Sequence, residues 1–177
     1  SRYVTNPLLI NGYKFDLRIY VVVTCYEPLR IYVYKEGLAR FASETYTAKF
    51  NKNNKYMHLT NYSINKKNDN FVQNESSEHD DFGFKWSLSA FCKHLETVGI
   101  DMNLLWSRIF DVIIKTIAMG EHYVLQQMKK NQMHRQNCFE VFGFDVLLDS
   151  DLKPWLVEVN LSPSLSCDSP LDHTIKA

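Results

Sequence analysis

The stretch that most constrains this chain is Phe142-Gly143-Phe144-Asp145-Val146-Leu147-Leu148-Asp149, a polar break, and then Pro154-Trp155-Leu156-Val157-Glu158-Val159-Asn160. Two apolar runs of strand length joined by Ser150-Asp151-Leu152-Lys153 read as an antiparallel hairpin. Centring it near Asp151 and Leu152 puts Asp145 opposite Glu158. Side chains alternate faces along a strand, so Asn160 points the same way as Glu158. Facing carboxylates repel, and amid Val, Leu and Phe they are costly to ionise without a cation. Three oxygen donors on one face suit a hard ion such as Mg²⁺, which fills its shell with waters and substrate phosphates. The competing reading is an amphipathic hairpin with one wet, acidic face, which antiparallel sheets commonly show.

Two further β blocks open the chain. Residues 15–26 and 29–34 read as strands, with a turn at Glu27-Pro28 and another at Lys35-Glu36-Gly37 before Leu38-Ala39-Arg40-Phe41-Ala42. Three such strands make a meander. In the first, Phe15, Leu17, Ile19 and Val21 form a core face, while Lys14, Asp16, Arg18 and Tyr20 share the other. That second face is either a solvated surface of self-cancelling charge or the lining of a ligand cleft, where Arg offers a planar fork for carboxylate or phosphate.

Helical spacing begins at Trp86, with Leu88, Phe91, Leu95 and Val98 inward and Gly99 as the stop. A second helix spans 102–130, with Leu105, Ile109, Val112, Ile113, Thr116 and Ile117 inward and Gly120 a candidate bend. Residues 66–84 are polar and are expected to form a mobile loop. The tail from Ser162 to Ala177 reads as irregular. Tyr56 to Ser63 concentrates hydrogen-bonding groups and reads most simply as a turn satisfied by its own Thr, Asn and Ser side chains. The chain opens on Ser1-Arg2-Tyr3-Val4, which reads as mid-strand, so it is expected to be a fragment.

Composition narrows the function classes. The 177 residues suffice for one domain with a core. A formal net charge of zero argues against a general nucleic-acid binder. The cysteines Cys25, Cys92, Cys138 and Cys167 form no CxxC pair, so neither a zinc site nor a disulfide framework is indicated, and a reducing cytosol is the simplest setting. No apolar run reaches membrane-spanning length.

Five ordered motifs then carry a resemblance: Lys14-Phe15-Asp16-Leu17-Arg18, Glu36-Gly37-Leu38-Ala39-Arg40-Phe41, His58-Leu59-Thr60-Asn61-Tyr62-Ser63, Gly143-Phe144-Asp145 and Glu158-Val159-Asn160. Together they resemble the tubulin–tyrosine ligase-like family over essentially the whole chain. The composite run Tyr26-Glu27-Pro28-Leu29-Arg30-Ile31-Tyr32 and the ending from Leu152 to Leu165 are similar to its glutamate-adding branch. The resemblance implies an α+β, ATP-grasp-like fold, an antiparallel sheet with packed helices. The chain is expected to be the central and C-terminal portion of one such catalytic domain, inactive toward ATP without the upstream part.

What the resemblance implies for individual residues is specific. Asp145, Glu158 and Asn160 would bind magnesium. Lys14, Phe15, Asp16, Thr60 and Asn61 would sit against ATP, with Ser1, Arg2, Tyr3 and Val4 as the strand beside the adenine. Arg40, Tyr62, Ser63, Lys85 and Lys176 would surround the incoming L-glutamate, three cations for two carboxylates. Arg18, Arg40 and Glu158 are the expected catalytic set. The implied activity is ATP-dependent addition of glutamate to glutamate side chains of tubulin C-terminal tails through an acylphosphate. The partners are tubulin and free glutamate, not nucleic acid or membrane, in the cytoplasm and cytoskeleton, with cilium or basal body as further settings. The alternatives are a glycine- or tyrosine-adding ligase and a non-catalytic microtubule-binding module.

Overall fold

Period-two alternation builds the middle of the molecule. The structure, a computed structural model, describes residues 3–47, 54–70, 72, 80–134, 138–167 and 169–176. Strand β2 runs Tyr13–Tyr26 and fully buries Phe15, Leu17, Ile19, Val21 and Val23. Each such side chain contributes about 1.5–3 kcal/mol by leaving water. The turn at Glu27-Pro28 returns the chain as β3, Leu29–Thr45, antiparallel to β2. On the other side of β2 lies β5, Glu140–Leu148, and beyond it β6, Pro154–Leu161. A short strand β4, Lys85–Ser87, covers the outer side of β3, giving the order β4-β3-β2-β5-β6 with every pairing antiparallel.

The chain gets from the β4 edge to β5 by two helices laid on the apolar face. Helix α3 is Leu88–Thr97 and α4 is Met102–Lys130, roughly 44 Å long. Ser87 caps α3 by accepting from the Ala90 N–H, and Asp101 caps α4 by accepting from Asn103 and Leu104. Leu88, Phe91 and Leu95, then Leu105, Ile109, Ile113 and Ile117, join the sheet's apolar side chains in one core. The opposite face carries a smaller cluster. There Leu171 and Ile175 of a helix at Pro170–Lys176 meet Tyr20 and Leu38.

Several expectations need correcting. Lys35-Glu36-Gly37 is no turn, because β3 runs through it unbroken. A Cβ on Gly37 would lie 2.4 Å from the Arg18 carbonyl oxygen and 2.8 Å from Leu88 Cδ1. Glycine is there for close approach, and the surplus residues of β3 are absorbed as an irregularity opposite Ile19 and Val21. The meander is therefore one long hairpin. A strand β1, Leu9–Ile10, was missed. It pairs with the start of β2 across Asn11-Gly12, both at positive φ, which is the signature of a two-residue hairpin loop. Trp86 belongs to β4 rather than to a helix, since its backbone pairs with Ala39.

Val98 is 61% exposed because it caps α3 instead of continuing its inward stripe. Helix α4 continues through Gly120. The tail is irregular over residues 162–167 as expected, but it ends in the Pro170–Lys176 helix just described, which the sequence reading did not anticipate. Residues 56–63 hold two short helices, α1 at Lys55–His58 and α2 at Tyr62–Asn65, not a self-contained turn. In chain order the C-terminal helix is α5. Tyr3 and Val4 lie outside any strand. Ser1 and Arg2, and much of the polar 66–84 segment (71 and 73–79), lie outside the described residues.

Candidate active site

The sheet's polar face is ordered by charge. Lys85, Arg40 and Asp16 are successive cross-strand partners on β4, β3 and β2. Two residues along β2, Arg18, Asp145 and Glu158 are successive partners on β2, β5 and β6. The sequence expectation that Asp145 opposes Glu158 is met, and Asn160 sits opposite Gly143, two residues along on the same face.

Arginines supply the cations that the buried carboxylates need. Arg18 holds Asp145 bidentately, Nε donating to Oδ1 at 2.5 Å and Nη2 to Oδ2 at 3.0 Å. Arg40 grips Asp16 with the same fork and also reaches Asp145 Oδ2 at 2.8 Å. Such bidentate pairs are strong and fix orientation. Burial opposes the charge on Asp145, but the two arginines outweigh it and hold its pKa below the usual carboxylate value. Burial likewise opposes the charge on Arg40, and Asp16 with Asp145 more than offsets it, raising its pKa. A Cβ on Gly143 would lie 2.9 Å from Pro163 Cβ and 3.2 Å from Arg18 Cδ, so this glycine leaves room for Arg18 to cross β5.

A second charged group sits at the β4 edge, and the sequence reading missed its centre. Asp172 of α5 is completely buried. Lys85 Nζ lies 2.6 Å from its Oδ2 and Lys176 Nζ 2.9 Å from its Oδ1. Burial pushes against ionisation of Asp172, yet the two lysines bring its pKa down. The Ser169 hydroxyl donates to this carboxylate at 2.9 Å and accepts from the Asp172 N–H at 3.2 Å. The signal was Ser169-Pro170-Leu171-Asp172, a capping pattern with Pro at the first helical position. Lys85 also lies over the Tyr62 ring, 5.0 Å from its centroid. Arg40, Lys85, Lys176 and Tyr62 are thus brought into one region, but each of the three cations already holds a carboxylate. Ser63 is exposed on α2.

The residues expected beside the nucleotide fall at the other end of the same face. Lys14 donates to the His58 carbonyl at 2.9 Å and lies over the Tyr3 ring at 5.1 Å. Burial lowers its pKa against the opposing pull of Asp16. Tyr3 hydroxyl and His58 Nδ1 are 2.6 Å apart. Phe15, in contrast, is a core residue turned to the opposite face, 0% exposed and packed on Phe41 and Phe91. Val4 is half-buried. Asn65 went unnoticed in the sequence. Its amide nitrogen donates to Leu59 and Asn61 carbonyls and its oxygen accepts from Ser43 N–H and hydroxyl. That buried, fully satisfied amide fixes the backbone on both sides of Thr60 and Asn61.

The donor set suits magnesium. An ionised carboxylate offers about four lone-pair sites, and the arginines take three on Asp145, leaving one for a metal. Glu158 is exposed, and Asn160 Nδ2 donates to its Oε1 at 3.1 Å and to Gly143 O at 3.2 Å. These are hard oxygen ligands without sulfur or imidazole, as that ion prefers.

Comparison with known proteins identifies the family. The chain matches the Tubulin-tyrosine ligase family over residues 1–177. It is 55% identical over 179 residues to the human protein named tubulin polyglutamylase TTLL5, covering 100% of this chain and 14% of that one. The Caenorhabditis elegans tubulin polyglutamylase ttll-5 is 52% identical, over 99% of this chain and 24% of its own. The mouse tubulin monoglutamylase TTLL4 is 50% identical, over 99% of this chain and 15% of its own. The chain therefore spans between about a seventh and a quarter of the length of these relatives.

Proposed function

Because the chain belongs to the tubulin–tyrosine ligase family, we propose that it is the portion of an ATP-grasp-like catalytic domain that ligates L-glutamate to glutamate side chains of tubulin C-terminal tails. The observation that carries this reading is the charged row across one sheet face. Four cations, Arg18, Arg40, Lys85 and Lys176, are interleaved with three buried carboxylates, Asp16, Asp145 and Asp172, and the exposed Glu158 lies at the metal end. A face with that order suits two anionic substrates and a nucleotide at once. The names of the relatives, polyglutamylases and a monoglutamylase, point to glutamate as the amino acid added.

In the reaction, a carboxylate oxygen of the tubulin tail attacks the γ-phosphorus of ATP and ADP leaves. The amine of free glutamate then attacks the acyl carbon, loses a proton, and phosphate departs. Magnesium, when bound, neutralises phosphate charge, and Asp145, Glu158 and Asn160 are the residues that would hold it. Lys14 and Asp16, with the Thr60–Asn61 backbone set by Asn65, orient the nucleotide. Arg18 stabilises charge developing at the transferred phosphoryl, and Arg40, Lys85, Lys176 and Tyr62 receive the incoming glutamate. Positioning and electrostatics carry the rate, with no covalent enzyme intermediate. A tubulin substrate implies a cytoskeletal setting, in the cytoplasm or in cilia and basal bodies.

The test is mass spectrometry of tubulin tails after incubation with the full-length protein, ATP and magnesium, offering glutamate, glycine or tyrosine. Glutamate adducts are expected. Glycine or tyrosine adducts, or none, would overturn the proposal.

A further inference from the structure

Asp172 has no role in the proposed chemistry, and among the described residues it is the most deeply buried carboxylate, at 0% exposure. It joins two elements that otherwise differ in origin. Lys85 comes from β4, an edge strand of three residues, and Lys176 from α5, the helix that carries Asp172 in its first turn. Their ammonium groups lie 2.6 and 2.9 Å from opposite oxygens of this single carboxylate, with side chains only 14% and 8% exposed. Lys176 is fixed further by donating to the Ser166 carbonyl at 2.8 Å. The Ser169 hydroxyl donates to the same carboxylate oxygen that Lys85 holds and accepts from the Asp172 N–H, clamping it in place.

We propose that Asp172 is a positioning residue for amino-acid selection, latching α5 to the sheet edge so that Lys85 and Lys176 present their ammonium groups side by side to one carboxylate of the incoming dicarboxylic amino acid. This rests on the glutamate-ligase reading above. Each ammonium has three donors; Lys85 spends one on Asp172, and Lys176 spends one on the Ser166 carbonyl beside its ion pair with Asp172, so donors remain for a ligand.

The sign of the effect follows from burial. Asp172 competes with the ligand for the lysines, and in open solvent its loss would strengthen binding. Here the two ammonium groups are held together almost out of water. Without a counter-charge they repel, and the freer one, Lys85 on its short strand, moves away. The lost arrangement outweighs the lost competitor.

The experiment is steady-state glutamate incorporation into tubulin tails by the full-length protein, with glutamate and ATP varied in turn. For Asp172→Asn the glutamate KM should rise at least tenfold, with the ATP KM within twofold and kcat within threefold. In a Lys85→Met background the same change should have little further effect on glutamate KM. An unchanged or lower glutamate KM overturns the inference. So does a loss of kcat alone, which a merely structural role would produce. If Asp172→Asn does not fold, Ser169→Ala decides. It removes the clamp and should raise glutamate KM two- to threefold with ATP KM unchanged, and no rise overturns the inference. A wild-type protein that incorporates no glutamate overturns the functional reading itself, and this inference with it. An active wild type with insensitive variants overturns this inference alone.

Discussion

The two faces of the same sheet are built on different principles. The face under α3 and α4 is held by area, with Phe15, Leu17, Ile19, Ala39, Phe144 and Val146 fully buried against helix side chains. The opposite face is held by matched charge, where the buried Asp16, Asp145 and Asp172 each find an Arg or Lys within 3 Å. Burying a charge requires a partner in a defined place, whereas burying a methyl group requires only volume. Strand β2 serves both designs, with odd-numbered Phe15, Leu17, Ile19, Val21 and Val23 on one and Lys14, Asp16, Arg18 and Tyr20 on the other. One face can therefore carry chemistry while the other carries stability.

The largest disruption of that division should come from the apolar side. Phe15→Ala empties a site packed by Phe41 and Phe91 and should cost about 3–5 kcal/mol, read from denaturant unfolding. A cost below 1 kcal/mol would mean that this face is not the main source of stability.

Asp145→Asn should come next. It leaves Arg18 and Arg40 short of a buried partner, at about 3 kcal/mol, and unlike Phe15→Ala its effect should depend on pH. Asp145 and Asp172 titrate lower folded than unfolded. Their contribution is complete above the unfolded value of about 4 and is lost as pH falls through the folded values. The wild type should therefore lose stability below about pH 4, and Asp145→Asn should lose less over the same range. Parallel acid curves for the two proteins would refute the charge-matched description of this face.

Gly37 lies where the two faces meet. Gly37→Ala pushes a methyl group into the Arg18 carbonyl and Leu88 and should destabilise by about 1–3 kcal/mol. A tolerated alanine would restore the turn that the sequence suggested.

That last residue shows why the two faces were not equally legible. Alternation tells which face a side chain is on, and the core face, both long helices and the opposition of Asp145 and Glu158 could be read from period and turn chemistry. Alternation does not tell which strands are neighbours. Arg18 meets Asp145 across 127 positions and Lys85 meets Asp172 across 87, so the counter-charges could not be seen. The repulsion between Asp145 and Glu158 that the hairpin implies is therefore relieved in part by arginines from β2 and β3, which its local sequence does not show. Gly37 looked like punctuation because its packing constraint comes from β2 and α3, far from its own local sequence. Asn11-Gly12 and Ser169-Pro170-Leu171-Asp172 were local signals in plain view, for a hairpin and a helix start, and went unread.

The smallest expected effect on stability belongs to Glu158, and it bears most directly on what the polar face does. Glu158 is exposed on edge strand β6, so Glu158→Gln should change stability by no more than about 0.5 kcal/mol. As the freest of the three oxygen donors it should nonetheless be indispensable to ligation. The measurement is glutamate incorporation into tubulin tails by full-length wild type and Glu158→Gln, with melting followed on the same samples. The account predicts loss of incorporation at an unchanged melting temperature. Wild-type incorporation by Glu158→Gln would contradict it.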